Sequence, residues 1–198
     1  CMNIMRHLDQ QKVQFDFVKH GEHVGAYEEE IKSLNGGIYT APIYKIYNHF
    51  QYCLWWKKFL RDHPEYQIIH GHYYTLSSIY LKIAKNMGRK TIAHSHNTRE
   101  FSGLKRHLIK NIEGIADYQF ACSDEAGKWM FPNSQFKVIH NAIDTDAFKF
   151  NPQFRKRIRK ELGVEDNLVI GGVGRLVEQK NPFGMVDIVE SASKKIPN

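Results

Sequence analysis

Residues 67–96, QIIHGHYYTLSSIYLKIAKNMGRKTIAHSH, decide the fold of this chain. The apolar run at 67–70 predicts a strand, a helix-period segment follows at 75–86, and Gly88 suits the end of that helix. A second apolar run at 91–94 predicts another strand. A strand, a helix and a strand in this order form a βαβ unit, whose two strands lie parallel in one sheet.

The same alternation continues on both sides of this stretch. Further strands are predicted at 14–18, 37–41, 118–122, 137–140 and 168–173. Further helices are predicted at 44–61, 104–115 and 123–131, with Ser123 as a capping residue at the start of the last one. The predicted class is therefore α/β, with a Rossmann-like parallel sheet domain.

A change of character near Asn151 predicts a domain junction. An amphipathic helix with Phe154, Ile158 and Leu162 on one stripe ends at Gly163, and Asn181-Pro182 opens the final helix. We expect a domain at 1–150 and the first βα portion of a second Rossmann-like domain at 151–198. One strand and two helices cannot enclose a core, so we expect the second domain to be incomplete, and sequence to be missing upstream as well.

Composition limits the function classes. The chain is 42% hydrophobic and 25% charged, which is typical of a globular protein. No apolar stretch approaches the roughly 20 residues of a membrane-spanning helix. Three cysteines without a C-x-x-C pair argue against a thiolate zinc cage. The net charge of +7 favours an anionic partner, whether a nucleotide sugar, a lipid phosphate, a membrane surface or a nucleic acid.

A glycine-rich strand end with two cations indicates one candidate site. Gly174 leaves little bulk where parallel sheets bind ligands, and Arg175 and Lys180 in the following loop could converge on one diphosphate. Solvated surface cations explain the same pattern, and that reading stays open. The stretch lacks the G-x-G-x-x-G pattern of dinucleotide-binding folds and the Gly-Lys-Ser/Thr of a P-loop.

Two histidine pairs follow predicted strands. They are His70-Gly71-His72 and His94-Ser95-His96-Asn97. Because both strand ends lie at one edge of a parallel sheet, the rings are expected to gather there. No carboxylate is near them in sequence and no H-x-x-x-H helix supports them, so we predict no metal. We expect His70 and His94 to pack against the sheet with backbone hydrogen bonds, and His72 and His96 to bind a hydroxyl-rich or phosphorylated ligand.

The helix at 44–61 mixes aromatic and basic residues and has two interpretations. The favoured one is a layer helix that turns its apolar side to the sheet; that side comprises Ile43, Ile46, Tyr47, Phe50 and Leu54. The other is an interfacial helix on an anionic membrane, because aromatic side chains beside lysines suit such a surface.

Five motifs in register resemble the retaining glycosyltransferases of family 4, and most closely their capsular and exopolysaccharide branch. The motifs are the two histidine stretches, Phe120-Ala121-Cys122-Ser123-Asp124-Glu125-Ala126, Val138-Ile139-His140-Asn141-Ala142-Ile143-Asp144 and Gly174-Arg175-Leu176-Val177-Glu178-Gln179-Lys180-Asn181. The resemblance covers nearly the whole chain. It implies a GT-B fold, with the acceptor-side domain first and the donor-binding domain second.

The resemblance also implies a reaction and its residues. A hexose would pass from a nucleoside diphosphate to an acceptor hydroxyl with retained configuration, without a cofactor or a metal. Arg175 and Lys180, beside Gly174, match the pair that contacts the donor diphosphate. His96 matches the histidine that faces the transferred sugar, with His72 and Asn97 on the acceptor side.

The resemblance further predicts partners, location and limits. The acceptor would be lipid-linked or a saccharide, in the cytoplasm or at the inner face of the membrane, and no nucleic acid would bind. The glutamate pair of the family would lie beyond Asn198, so we predict that these 198 residues are catalytically inert alone. A nucleotide-sugar epimerase and a basic nucleic-acid-binding protein remain as alternatives.

Overall fold

The strands of the computed structural model, which describes residues 1–72, 76–98 and 112–195, pair only in parallel. Within those residues the strands are β1 (Phe17–His20), β2 (Ile38–Ala41), β3 (Ile68–Gly71), β4 (Lys90–Ser95), β5 (Tyr118–Ala121) and β6 (Lys137–Val138). One sheet holds β1 beside β2, and the other has the order β3-β4-β5-β6. The predicted α/β class with parallel sheets is confirmed.

The first strand begins later than predicted. Side chains rather than backbone groups make the bonds at 14–16, where Gln14 donates to the Asn35 carbonyl over 2.9 Å and Asp16 accepts from the Gly37 N–H over 2.6 Å. The backbone ladder starts only when Phe17 N donates to Gly37 O over 2.8 Å. The range 14–18 was therefore wrong for β1.

The helices predicted at 44–61, 75–86 and 123–131 form with shifted ends, whereas the helix at Glu28–Ser33 was not predicted. They are α1 (Met2–Met5), α2 (Glu28–Ser33), α3 (His49–Asp62), α4 (Ser77–Asn86), α5 (Ile112–Ile115), α6 (Asp124–Met130), α7 (Pro152–Leu162) and α8 (Pro182–Ser193). Short 3₁₀ turns occupy Ile46–Asn48 and Glu178–Lys180. Most of the helix predicted at 104–115 lies outside the described residues, as does the start of the one predicted at 75–86.

The predicted helix ends are confirmed where polar caps or glycines form them. Ser123 Oγ accepts from the Ala126 N–H at the start of α6, and Asn181 Oδ1 accepts from the Gly184 N–H at the start of α8. Gly88 follows α4 with a φ of +79°, and Gly163 follows α7 with a φ of +65°. Both glycines thus have the left-handed backbone conformation that commonly ends a helix, which glycine adopts without steric strain because it lacks a Cβ atom.

Helix α3 buries a different face from the one predicted. Tyr52, Trp56, Phe59 and Leu60 are buried at i, i+4, i+7 and i+8, and Trp56 stacks on Tyr80 of α4 at 4.8 Å. This stripe has larger side chains than the stripe that was predicted to face the sheet, and it packs into the core. The residues predicted to face the sheet are exposed instead, namely Ile43, Ile46, Tyr47, Phe50 and Leu54.

The chain divides into two compact units, residues 1–143 and 144–198. The junction predicted near Asn151 falls inside the second unit. The core of the first unit joins α3 and α4 to β4, α5 and α6. Helix α4 covers β3 and β4 from one side, which leaves the opposite face at their carboxyl ends to the histidines.

The second unit contains α7 and α8, and the strand predicted at 168–173 does not form there. A strand needs a neighbouring backbone to pair with, and the described residues of this unit provide no second strand. Its apolar side chains, including Phe154, Leu168 and Val186, are exposed. In the described parts of both units, every helix is too short or too polar to span a bilayer.

Candidate functional site

Four histidines meet at the carboxyl ends of β3 and β4. His70 lies in β3 and His72 directly follows it, while His94 lies in β4 and His96 directly follows that strand. Residues two apart in a strand point to the same face. Because β3 and β4 are parallel neighbours, with His70 opposite Ile92 and Gly71 opposite Ala93, the rings come together. We call His70, His72, His94 and His96 the histidine cluster.

The rings of the cluster lie against one another in both directions, and all but the tilted His70–His72 pair are stacked. Ring centroids are 4.2 Å apart for His70 and His72, and 4.1 Å apart for His94 and His96, along the strands. Across the strands they are 5.3 Å apart for His70 and His94 and 5.1 Å apart for His72 and His96. The predicted gathering of these side chains is therefore present in the structure.

Hydrogen bonds link the cluster across the two strands. Nδ1 of His72 lies 2.8 Å from Nε2 of His96, and Nε2 of His70 lies 3.2 Å from Nδ1 of His94. The predicted backbone bonds of His70 and His94 were therefore wrong, since period-two alternation places all four rings on one face. His94 is only 7% exposed, and its Nε2 has no hydrogen-bond partner within the described residues.

Tight packing of β3 against α4 explains why the residue between His70 and His72 is a glycine. A Cβ atom on Gly71 would lie 2.8 Å from the Tyr80 hydroxyl and 2.9 Å from the Ser77 hydroxyl, both in α4. No side chain fits there without displacing the helix. The buried Ser95 hydroxyl donates to the Ala126 carbonyl over 2.7 Å and so ties β4 to α6 beside His94 and His96.

Burial keeps the cluster in its neutral form. It lowers the pKa of His70 and of His94 to about 4 and, with help from the neighbouring rings, the pKa of His72 to about 2. His96 is the most accessible of the four, and the covered part of its ring lowers its pKa as well. A neutral imidazole offers one N–H donor and one lone pair, which suits sugar hydroxyls.

Two further residues adjoin the cluster. Asn97 follows His96, is exposed, and accepts the Thr98 N–H on its side-chain oxygen over 2.7 Å. The Sγ atom of Cys1 lies 3.3 Å from Nε2 of His72. Nothing in the sequence spacing links Cys1 to His72, which lies 71 residues away.

The predicted diphosphate site lies in the second unit. Lys180 ends the short turn Glu178–Lys180, and a Cβ atom on Gly174 would lie 3.7 Å from its Cγ, so the lysine stem runs close to that glycine. The carbonyl of Arg175 accepts the Val177 N–H over 2.9 Å. Neither Arg175 nor Lys180 forms an ion pair with any carboxylate among the described residues. Their role in holding a diphosphate stays a prediction.

Comparison with known proteins places the first unit in a family of sugar-transferring enzymes. Residues 1–147 match the family model described as Glycosyltransferase Family 4. EpsF of Bacillus subtilis (strain 168), whose name provisionally assigns it as a glycosyltransferase, is 27% identical over 198 residues. That alignment covers 91% of this chain and 50% of EpsF.

Solved structures share the fold. Anabaena Alr3699/HepE in complex with UDP superposes with a TM-score of 0.72 at 18% identity, over 88% of this chain and 50% of that one. Its complex with UDP-glucose gives 0.70 at 18% identity, over 88% and 49%. MurG of Acinetobacter baumannii gives 0.52 at 15% identity, over 75% and 42%. The chain thus spans about half the length of the proteins it matches and has the Rossmann-like α/β fold of GT-B enzymes.

Proposed function

Because the chain belongs to glycosyltransferase family 4, we propose that it serves in the transfer of a hexose from a nucleoside-diphosphate sugar to an acceptor hydroxyl. The activity is proposed for the complete enzyme. The 198 residues correspond to about half of the related proteins, so we expect them to be inactive alone.

One observation carries this proposal. The family match extends over the whole first unit, and that unit presents neutral imidazoles at the carboxyl edge of its parallel sheet. Ligands of α/β folds bind at this edge. The similar HepE structures contain UDP and UDP-glucose, which supports a nucleotide-sugar donor for this chain.

The proposed roles follow the two candidate sites. His96, the accessible member of the cluster, faces the transferred sugar; His72 fixes its ring through the 2.8 Å bond, and Asn97 adds an amide on the acceptor side. In the second unit Arg175 and Lys180 hold the donor diphosphate, and Gly174 gives it room. Stabilising charge on the leaving diphosphate is the main catalytic contribution we assign to the protein.

The finer assignment rests on the sequence motifs. Their resemblance to the capsular and exopolysaccharide branch supports a retaining transfer onto a growing polysaccharide, with a lipid-linked or saccharide acceptor. We propose no cofactor for this reaction, and no nucleic-acid partner.

Peripheral membrane contact belongs to the same proposal, at the cytoplasmic face of the membrane. Ile46, Tyr47 and Phe50 are 73%, 81% and 73% exposed, which is unusual for neighbouring large apolar residues. The ammonium group of Lys45 lies 5.5 Å from the Tyr47 ring centroid, and Lys57 lies in the following helix, α3. Aromatic and basic groups side by side suit an anionic lipid surface. We call Ile43, Lys45, Ile46, Tyr47 and Phe50 the aromatic-basic surface.

A depression next to this surface supports lipid contact. Its volume is about 590 Å³, and its lining includes Ile43, Tyr47 and Trp55 together with Lys45. The lining also includes Glu22, so mostly apolar walls are combined with one lysine and one glutamate; the apolar part suits acyl chains and the lysine suits anionic head groups.

The proposed activity is tested on the complete gene product with a panel of nucleoside-diphosphate sugars. We expect release of nucleoside diphosphate only when a lipid-linked or saccharide acceptor is present, and an unchanged anomeric configuration in the product by NMR. Donor converted without acceptor would identify an epimerase. If the complete protein neither binds nor consumes any of these donors, the proposal is refuted.

A further inference from the structure

We propose that His70, His72 and His94, together with the thiol of Cys1, bind one divalent transition-metal ion of the zinc class. This site adjoins the proposed sugar site through His72, and the proposed transfer chemistry itself uses no metal. Each of the three histidines offers one ring nitrogen, and these nitrogens lie within 4.8 Å of one another.

Two short contacts already have the separations of ligands that share an ion. Tetrahedral zinc with Zn–N bonds of about 2.05 Å holds two nitrogens roughly 3.3 Å apart, and with a Zn–S bond of about 2.3 Å it holds nitrogen and sulfur roughly 3.5 Å apart. Nε2 of His70 and Nδ1 of His94 are 3.2 Å apart. Sγ of Cys1 and Nε2 of His72 are 3.3 Å apart. Four-fold coordination needs these two pairs to converge on one point, with the Cys1 thiol moving toward the three histidine nitrogens, which already lie within 4.8 Å of one another.

The donor atoms select the class of metal. Imidazole nitrogen and thiolate sulfur suit zinc, cobalt and copper, whereas magnesium and calcium need oxygen ligands. The cluster offers no carboxylate of its own within the described residues. A zinc-class ion is therefore favoured over a hard cation.

The chemistry of the imidazole ring fits such an ion. A neutral imidazole has one N–H and one lone pair, so each of His70, His72 and His94 can give one ring nitrogen to the ion. Each ring keeps one N–H and presents its other nitrogen to the ion, while the Cys1 thiol releases its proton to solvent. One proton is thus released for each ion bound.

His96 completes the surroundings without acting as a ligand. With Nε2 of His72 on the ion, Nδ1 of the same ring would donate to Nε2 of His96, over the 2.8 Å that separates them in the structure. Metal-bound histidines normally use their second nitrogen in this way, and the bond fixes the tautomer of the ligand.

The first test measures metal binding by the 198-residue chain, reduced and freed of metal by chelation, with no donor or acceptor present. Cobalt(II) is titrated and followed by its visible absorption, and zinc(II) is then used to displace it. We expect one equivalent to bind with a thiolate-to-cobalt charge-transfer band, which reports Cys1. The variants His72→Gln and His94→Gln are expected to bind at least about tenfold more weakly.

The matched control is His23→Gln, which replaces an exposed histidine outside the cluster and should bind as the unaltered chain does. Equal affinity in all variants, or no binding by the unaltered chain, overturns the proposal. If His94→Gln fails to fold, the site is tested on the unaltered chain instead. Crystals are soaked in zinc, and anomalous scattering at the zinc edge locates the bound ion. A peak between the three histidines supports the site, and a peak elsewhere or none refutes it.

None of these measurements depends on sugar transfer. Zinc binding at the cluster without any glycosyltransferase activity would leave this inference standing and remove only the proposed function. Sugar transfer by the complete enzyme without zinc binding at the cluster would refute this inference and leave the proposed function standing.

Discussion

The Nδ1 atom of His72 lies 2.8 Å from the Nε2 atom of His96, so residues from the ends of two parallel strands fix each other's rings. His72 is held more deeply than His96, which leaves the His96 ring accessible to a ligand. The pair therefore combines an anchored ring with an exposed one, and this division of roles leads to the first prediction.

His96→Ala in the complete enzyme should lower kcat on the order of 100-fold, because a group facing the transferred sugar is lost. His72→Ala should lower it by only about tenfold, the equivalent of one hydrogen bond. Steady-state kinetics with a fixed donor measures both, and His23→Ala serves as the control. A larger loss for His72 than for His96 contradicts the assigned roles.

Stability should fall between neutral and acid pH because of the buried histidines. The pKa of His70 and of His94 in the folded chain is about 4, below the ordinary value of 6.5. As pH drops through 6.5 the unfolded state takes up protons that the folded state refuses, so stability present above that pH is lost toward pH 4. His20, whose pKa burial also lowers, adds to the same trend.

Urea unfolding from pH 7 to pH 4.5 measures this loss. The double variant His70→Gln/His94→Gln should flatten the profile, whereas His23→Gln should leave it unchanged. A profile that is equally steep in the double variant assigns the pH dependence to other groups.

Gly71→Ala should destabilise the first unit by about 1–3 kcal/mol, because its Cβ would lie 2.8 Å from the Tyr80 hydroxyl and push α4 away from β3. Gly114→Ala is the matched control, since nothing lies within 4 Å of a Cβ there. Equilibrium urea denaturation compares the two variants. Equal free energies of unfolding would mean that α4 moves aside without cost.

Tyr47→Ser/Phe50→Ser should weaken binding to anionic vesicles roughly tenfold or more, since two exposed aromatic side chains can no longer enter the lipid interface. Co-sedimentation with phosphatidylserine-containing vesicles at low and high salt is the measurement. Val24→Ser/Tyr27→Ser removes exposed apolar side chains elsewhere and should bind as before. If the unaltered chain stays in the supernatant at low salt, membrane contact through the aromatic-basic surface is refuted.

Arg175→Ala and Lys180→Ala should each lower turnover of the complete enzyme on the order of 100-fold, because each removes a cation from the leaving diphosphate. Arg175→Lys should recover only part of the loss, since a lysine cannot form the forked pair of bonds. Arg157→Ala is the control, because that arginine lies in α7 and pairs with Glu161. Unchanged turnover in Arg175→Ala would place the diphosphate elsewhere.

The sequence by itself determined the order of strands and helices and the parallel sheets of the first unit. Apolar runs such as Ile68–Gly71 and caps such as Ser123 act locally, so their effect can be predicted from neighbouring residues. It did not determine which stripe of α3 is buried. Of the predicted stripe only Phe50 and Leu54 lie in α3, and packing against Tyr80 selects the competing stripe with Trp56.

The tertiary structure alone decided the composition of the site. His70 and His94 were expected to bond to backbone, and no metal was predicted, because each histidine pair lacks partners along its own stretch of chain. Pairing of β3 with β4 joins the two pairs, and folding brings Cys1 beside His72. The strand predicted at 168–173 does not form for the converse reason, since a strand is stable only beside another backbone. Properties set by neighbours in sequence were predictable, and those set by neighbours in space were not.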